Sequence, residues 1–271
     1  MLDRNRLIEN EMNVLASQQW GTIGPRSVEA AKKLASHVDA AYGLVCHSLD
    51  GAYESLLRHF GACYGMSVVV GSVCAPMDAL LPVCTGAAPL FCAVCDTCGM
   101  IKPDALDALL AANDTVACVM ADYFEGAACS VEKLYAVCKA HNTALILNAG
   151  GNFSAKYNGK PLTACADAVV YSLEAGSAIC SGRGGFLASD DRAVYAGAYA
   201  YHNCGRSFDE GSSLDMDVIV GGDMRSCEWI CVAVEEILES GTFADLAPTK
   251  QVKMEGQPVF ASAYAKKMTG K

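Results

Sequence analysis

The sequence predicts an α/β protein whose mostly parallel sheet is covered by helices on both faces. Short apolar runs rich in β-branched residues, such as Ser67–Val70, alternate with segments of about ten residues whose apolar positions recur at helical spacing. That alternation calls for crossover connections and a sheet buried on both sides. Composition agrees: 52% hydrophobic and 18% charged residues over 271 positions are enough for a full core and too apolar for a disordered chain.

The elements follow in order. Gly24 to Val38 reads as a helix, with Val28, Ala31, Leu34, Ala35 and Val38 on one face and Lys32 and Lys33 turned outward. Leu44–Cys46 is a short strand, and a helix from Ala52 to Phe60 follows it. Ser67–Val70 is a buried strand, and Pro76 opens a helix towards Val83. Gly86 to Pro89 turns into the strand Leu90–Val94. Pro103–Ala112 is a helix with proline in its first turn, and Thr115–Ala121 is the next strand. Ser130 caps a helix with Val131, Leu134, Tyr135 and Cys138 on its apolar face, and the strand Ala144–Leu147 comes after it. Two apolar runs, Ala168–Tyr171 and Phe186–Ala188, flank a loop of small residues and read as a hairpin. His202–Gly222 is polar and Gly-rich and reads as an exposed loop. Arg225–Ser240 reads as a long helix that Gly241 stops, followed by a weakly patterned tail with a short strand at Pro258–Ala261.

A net charge of -10 argues against nucleic acid as a partner. The opening residues have no apolar leader core, and no run spans a bilayer, so a cytoplasmic chain with no membrane association is expected. Fifteen cysteines lie mostly among apolar neighbours and read as reduced core thiols. The run Cys92, Cys95, Cys98 resembles part of an iron–sulfur loop, but Lys102 stands before Pro103 where a last cysteine would be, and no other motif offers a clear fourth ligand. The plain reading there is a strand end running into a loop. The five histidines have no ligand-type spacing and read as surface or helix-end residues.

The order of pieces resembles the DegT/DnrJ/StrS family, pyridoxal-phosphate (PLP) aminotransferases of fold type I that mostly act on nucleotide-linked keto sugars. GAAPLF (86–91) with KPDALDALL (102–110), ALILNAGGNFSAKYNGKPL (144–162), DAVVYSLEAGSAICSGRGGF (167–186) and GGDMRSCEWICVAVEEI (221–237) carry the likeness. The resemblance implies a three-layer aminotransferase-like fold: residues 1–240 as the large domain with an N-terminal helical arm, and 241–271 as a short remnant of a truncated C-terminal domain.

Carried over residue by residue, the family's functional positions are altered. The lysine that bonds PLP falls at Ser177, five residues after Ser172, and a serine cannot make that bond. Lys156 and Lys160 match an exposed hairpin. The aspartate that pairs with the pyridine nitrogen falls at Asn148, and the glutamine after it at Gly151. The Gly-Thr that cradles the phosphate falls at Leu49-Asp50, where a carboxylate repels an anion. The ring-stacking aromatic falls at Ala75, and the asparagine that reaches across the dimer at Asp223; only Ser172 is kept. The resemblance therefore implies a non-catalytic homologue in nucleotide-sugar metabolism or polysaccharide biosynthesis. Such a chain is expected to bind no cofactor and to act as a homodimer or as a heterodimer with an active homologue. The alternative is an active sugar aminotransferase using PLP with a lysine supplied from elsewhere. A third reading gathers Asp50, Asn148, Ser172, Ser177, Arg183 and Asp223 around a cation or a nucleotide-sugar-like polyhydroxyl ligand.

Overall fold

The computed structural model describes residues 3–20, 23–127, 129–206, 220–241 and 243. In chain order the helices are α1 (Arg4–Ser17), α2 (Pro25–His37), α3 (Leu49–His59), α4 (Pro76–Thr85), α5 (Pro103–Ala111), α6 (Val131–Ala140), α7 (Arg192–His202) and α8 (Glu228–Ser240). The strands are β1 (Tyr42–Cys46), β2 (Ser67–Gly71), β3 (Ala88–Cys92), β4 (Val116–Asp122), β5 (Ala144–Asn148), β6 (Lys156–Tyr157), β7 (Lys160–Pro161), β8 (Ala168–Ser172) and β9 (Gly185–Ser189).

Seven strands form one sheet in the order β1-β9-β8-β5-β4-β2-β3; β9 is antiparallel to both neighbours and the remaining pairs are parallel. Alternation along each strand divides the core into two layers. Val45, Val69, Val119, Leu145, Leu147 and Val169 face α2, α5, α6 and α8. Leu44, Val68, Val70, Met120, Ile146 and Val170 face α3, α4 and α7. Each such side chain contributes about 1.5–3 kcal/mol on burial. The expected three-layer architecture is therefore present, and no helix among the described residues is long and apolar enough to cross a membrane.

Ser48 Oγ accepts from Gly51 N at 3.0 Å, so α3 starts at Leu49 rather than Ala52. Conversely, α8 starts at Glu228, not Arg225, because Asp223 and Arg225 are drawn into extended bridges with Asn203 and Cys46. The strand expected at Leu90–Val94 is shifted to Ala88–Cys92, where it runs beside β2. His202 is not on an exposed loop. It ends α7, a helix that the sequence pattern does not announce, and is 1% exposed with Nε2 3.2 Å from the Val45 carbonyl. Most of the loop expected after His202, and the strand expected at Pro258–Ala261, lie outside the described residues.

The helices α1, α2 and α8 are joined by carboxylates of α8 that point inward. Glu228 accepts from the backbone amides of Arg26 (2.8 Å) and Ser27 (3.0 Å), which satisfies the free N–H groups at the start of α2. Glu236 accepts from Arg6 Nε (2.6 Å) and Asn10 Nδ2 (2.7 Å), and Glu235 pairs with Arg26 and Lys33.

Candidate functional site

The parallel strands β4, β5 and β8 end together at one edge of the sheet, and the N-termini of α3 and α4 arrive at the same edge. Open α/β sheets place ligands there. Asn148, Gly151, Ser172 and Ser177 are brought together by backbone contacts. Asn148 Oδ1 accepts from Gly150 N (2.9 Å), Ser172 N donates to Gly150 O (2.7 Å), and Ala178 N donates to Gly151 O (3.0 Å). Ser172 Oγ is turned to its own loop, accepting from Glu174 N at 3.2 Å.

Ser177 is buried and lies against Gly151 so closely that a Cβ on Gly151 would come 2.5 Å from Ser177 Cα and 2.8 Å from its Oγ. Glycine is required at 151 by that approach, and there is no space for the glutamine the resemblance places there. Of the two lysines in the neighbouring hairpin, Lys156 Nζ is held 2.7 Å from Asp39 and Lys160 Nζ lies 3.6 Å from Glu132. Asp39 precedes β1, whereas Cys46 ends it and His47 follows it at the site edge; β1 is five residues, about 16 Å, long.

The N-terminus of α3 is closed from within. Ser48 caps it, Asp50 places a negative charge in its first turn, and the His47 ring lies over Gly51, 2.8 Å (Cε1) from where a Cβ would stand. Leu49 packs on β9, since a Cβ on Gly185 would meet Leu49 Cα at 2.6 Å. The helix dipole is thus already answered by a carboxylate and a hydroxyl. His47 Nδ1 is buried without a hydrogen-bond partner.

Sequence reasoning missed the carboxylates beneath this edge. Ala75 caps α4, and its N–H donates to Asp78 Oδ2 at 3.2 Å. Asp78 faces Asp122, which ends β4 and accepts from Asn148 Nδ2 at 2.9 Å. Burial, then the neighbouring Asp122 charge, push the Asp78 carboxyl up to about 7. Burial also raises Asp122, against the Asn148 hydrogen bond that lowers it. Tyr53, Cys74, Asp78 and Asp122 line a cavity of about 10 Å³, room for roughly one water and not for an aromatic ring. An aspartate at a strand end and another in the first turn of a helix are ordinary in a sequence; only the fold reveals that they face one another.

Asp223 stands elsewhere, at the β1 edge. It is ion-paired with Arg225 at 2.8 Å, and that hydrogen bond holds its carboxyl below the usual range. Among the described residues its ion pair is to Arg225, whereas Asn148 bonds Asp122 and Gly150 and Ser172 bonds Glu174. Arg183 is exposed in the loop between β8 and β9.

The cysteine run is divided by the fold. Cys92 is buried at the end of β3, whereas Cys95 and Cys98 lie beside Cys129, a partner the sequence spacing did not suggest. Hydrogen bonds from the Thr97 hydroxyl and from backbone amides bring the Cys95 thiol down to about 6, and burial pushes Cys129 up to about 12.

These residues do not fit covalently held PLP. At the positions where the resemblance puts the cofactor contacts, Ser177 has no amine, Asn148 is a neutral amide bound to the Asp122 carboxylate, and Asp50 places a negative charge in the first turn of α3.

The pattern of the DegT/DnrJ/EryC1/StrS aminotransferase family matches residues 3–235. The spore coat polysaccharide biosynthesis protein SpsC of Bacillus subtilis (strain 168) is 25% identical over 172 residues, 64% of this chain and 44% of SpsC. The L-glutamine:2-deoxy-scyllo-inosose aminotransferase of Streptomyces lividus is 25% identical over 189 residues, 68% of this chain and 44% of that protein. The crystal structure of an aminotransferase from Psychrobacter cryohalolentis superposes with a TM-score of 0.77 at 20% identity, covering 88% of this chain and 62% of its own. The chain spans less than half the length of these two curated relatives.

Proposed function

The chain belongs to the DegT/DnrJ/EryC1/StrS aminotransferase family, and we propose that it is a member that keeps the family scaffold without the covalent cofactor chemistry. It acts by association with a second chain of the same fold, its own copy or an active homologue, in sugar or polysaccharide metabolism. The sugar context is supported by the relatives' names, a spore coat polysaccharide protein and an inosose aminotransferase.

One observation carries the reading. The resemblance puts the family's PLP-bonding lysine at Ser177, and Gly151 is packed onto that serine. An aminotransferase needs that amine twice, to hold the cofactor and to move the substrate proton, and a hydroxyl does neither at neutral pH. The changes around it act in the same direction. Asn148 cannot balance a protonated ring nitrogen, and Asp50 opposes a phosphate dianion where a helix N-terminus would otherwise attract one.

The test is incubation of the purified full chain with PLP, followed by borohydride and peptide mass spectrometry. The expected result is no reducible adduct at any single lysine above the level of random surface labelling. A stoichiometric borohydride-fixed adduct on one lysine overturns the proposal, and the labelled peptide names the substitute amine. For the association half, light scattering is read on the chain alone and mixed with an active family member. A mass that stays at 28.4 kDa in both cases overturns it.

A further inference from the structure

We propose that Cys95, Cys98 and Cys129 form a binding site for a thiophilic divalent metal ion of the zinc class, which fastens the loop after β3 to the loop after β4. The three sulfur atoms all lie within 4.8 Å of one another, and Cys98 and Cys129 are 3.1 Å apart. Tetrahedral zinc thiolates have Zn–S near 2.3 Å, so their sulfurs stand about 3.8 Å apart. Small side-chain rotations open this cluster to that spacing. Disulfide bonding needs about 2.0 Å, and all three thiols are free.

The turn that presents the first two sulfurs has the form a metal ion requires. Val94 and Ile101 pair across a narrow hairpin, with Cys95 N donating to Met100 O at 2.8 Å and Lys102 N to Ala93 O at 3.0 Å. At its tip, Gly99 N donates to Cys95 O at 2.8 Å, and Gly99 takes φ 74°, which lets a Cys-x-x-Cys segment curl so that both sulfurs point to one side. The Thr97 hydroxyl lies 3.1 Å from the Cys95 sulfur, and the amides of Thr97 and Cys98 also bond it. This is the outer shell that orients and charges a ligating thiolate. Cys129 arrives from the other loop, one residue before Ser130, whose cap on α6 fixes its place.

Binding needs no oxidant. Each thiol gives its proton to solvent as its sulfur bonds the ion, so three S–M bonds replace three S–H bonds. The site then carries one net negative charge. Cys95 and Cys129 are part-exposed, which leaves the fourth position to water. Exposed Cys63, Cys84 and Cys180 belong to no such group among the described residues.

The test is metal binding by the reduced full chain, read by competition with a chromogenic chelator for zinc and by absorbance with cobalt. The expected result is one tightly held zinc per chain, and with cobalt the thiolate charge-transfer and tetrahedral d–d bands. Cys129→Ser and Cys95→Ser each weaken binding by roughly a hundredfold or more, while a Cys63→Ser/Cys84→Ser double variant binds as before. Circular dichroism confirms that the variants fold; Cys95 lies in a turn, so its variant keeps the test open if Cys129→Ser does not fold. Undiminished stoichiometry and affinity in folded Cys95→Ser, no zinc retained against the chelator, or a Cys98–Cys129 disulfide formed equally with and without zinc each overturn the proposal.

Discussion

Replacing Asp78 by asparagine is expected to stabilise the protein, and to do so more as pH rises. The folded state holds the Asp78 proton up to about 7, against 3.8 for the ordinary carboxyl. Folded protein therefore binds more protons than unfolded protein between those values, and the wild-type contribution to stability falls as pH rises through that window and is level above it. Working the linkage through, the ionisation costs about 1.7 kcal/mol at pH 5 and about 4 kcal/mol at pH 8. The charge itself is not needed for capping, since the amide oxygen of an asparagine can still accept from the Ala75 N–H that Asp78 Oδ2 now caps at 3.2 Å. The assay is urea unfolding of both proteins under reducing conditions at pH 5 and pH 8. The stabilisation by Asp78→Asn should be about 2–3 kcal/mol greater at pH 8 than at pH 5. Taking the difference between the two proteins cancels the opposite contribution of His202, which both retain. An equal effect at the two pH values, or a larger one at pH 5, refutes the buried carboxylate pair.

His202 itself supplies a second prediction: burial lowers it to about 4, so stability is present above pH 6.5 and is lost as pH falls towards 4. His202→Gln should flatten that acid limb in the same unfolding series. Gly151→Ala puts a Cβ 2.5 Å from Ser177 backbone and should cost about 1–3 kcal/mol, seen as a lower urea midpoint with an unchanged slope. Glu228→Ala leaves the Arg26 and Ser27 amides without their buried acceptor and should cost about 2–3 kcal/mol by the same measurement. Ser177→Lys alone is expected to give no stoichiometric borohydride-fixed PLP adduct, because Asp50 and Asn148 remain; such an adduct by mass spectrometry shows the site needs only its lysine.

Local signals in the sequence were sufficient for most of the sheet. Val68 and Val70 face one layer and Val69 the other, as their alternation requires, and Ser130 caps α6 where its hydroxyl and the following apolar spacing place a helix start. Helix α7 was not legible, because 193–201 is mostly alanine and tyrosine with one glycine and one valine, and lacks the leucine and isoleucine rows that give helical periodicity its contrast. At the site, chain position was readable and company was not. Asn148 and Ser177 could be located from their neighbours in sequence, but the Asp78–Asp122 pair and the approach of Cys129 to Cys98 join residues 44 and 31 positions apart. Arg225 illustrates a third kind of difficulty: its helical pattern is overridden by pairing with Cys46.

The inward carboxylates of α8 also set a timetable for folding. Arg6 and Glu236, partners at 2.6 Å, are separated by 230 residues. A ribosome adding about 5–20 residues per second makes the second roughly 10–50 s after the first. Throughout that interval α1 and α2 have neither the acid that caps α2 nor those that pair Arg6, Asn10 and Arg26. The apolar face of α2, with Ala30 and Leu34, is without its α8 partner for as long. Helices α1 and α2, made before α8, are thus among the last to settle, and the nascent chain passes through a stage with that face open to chaperones.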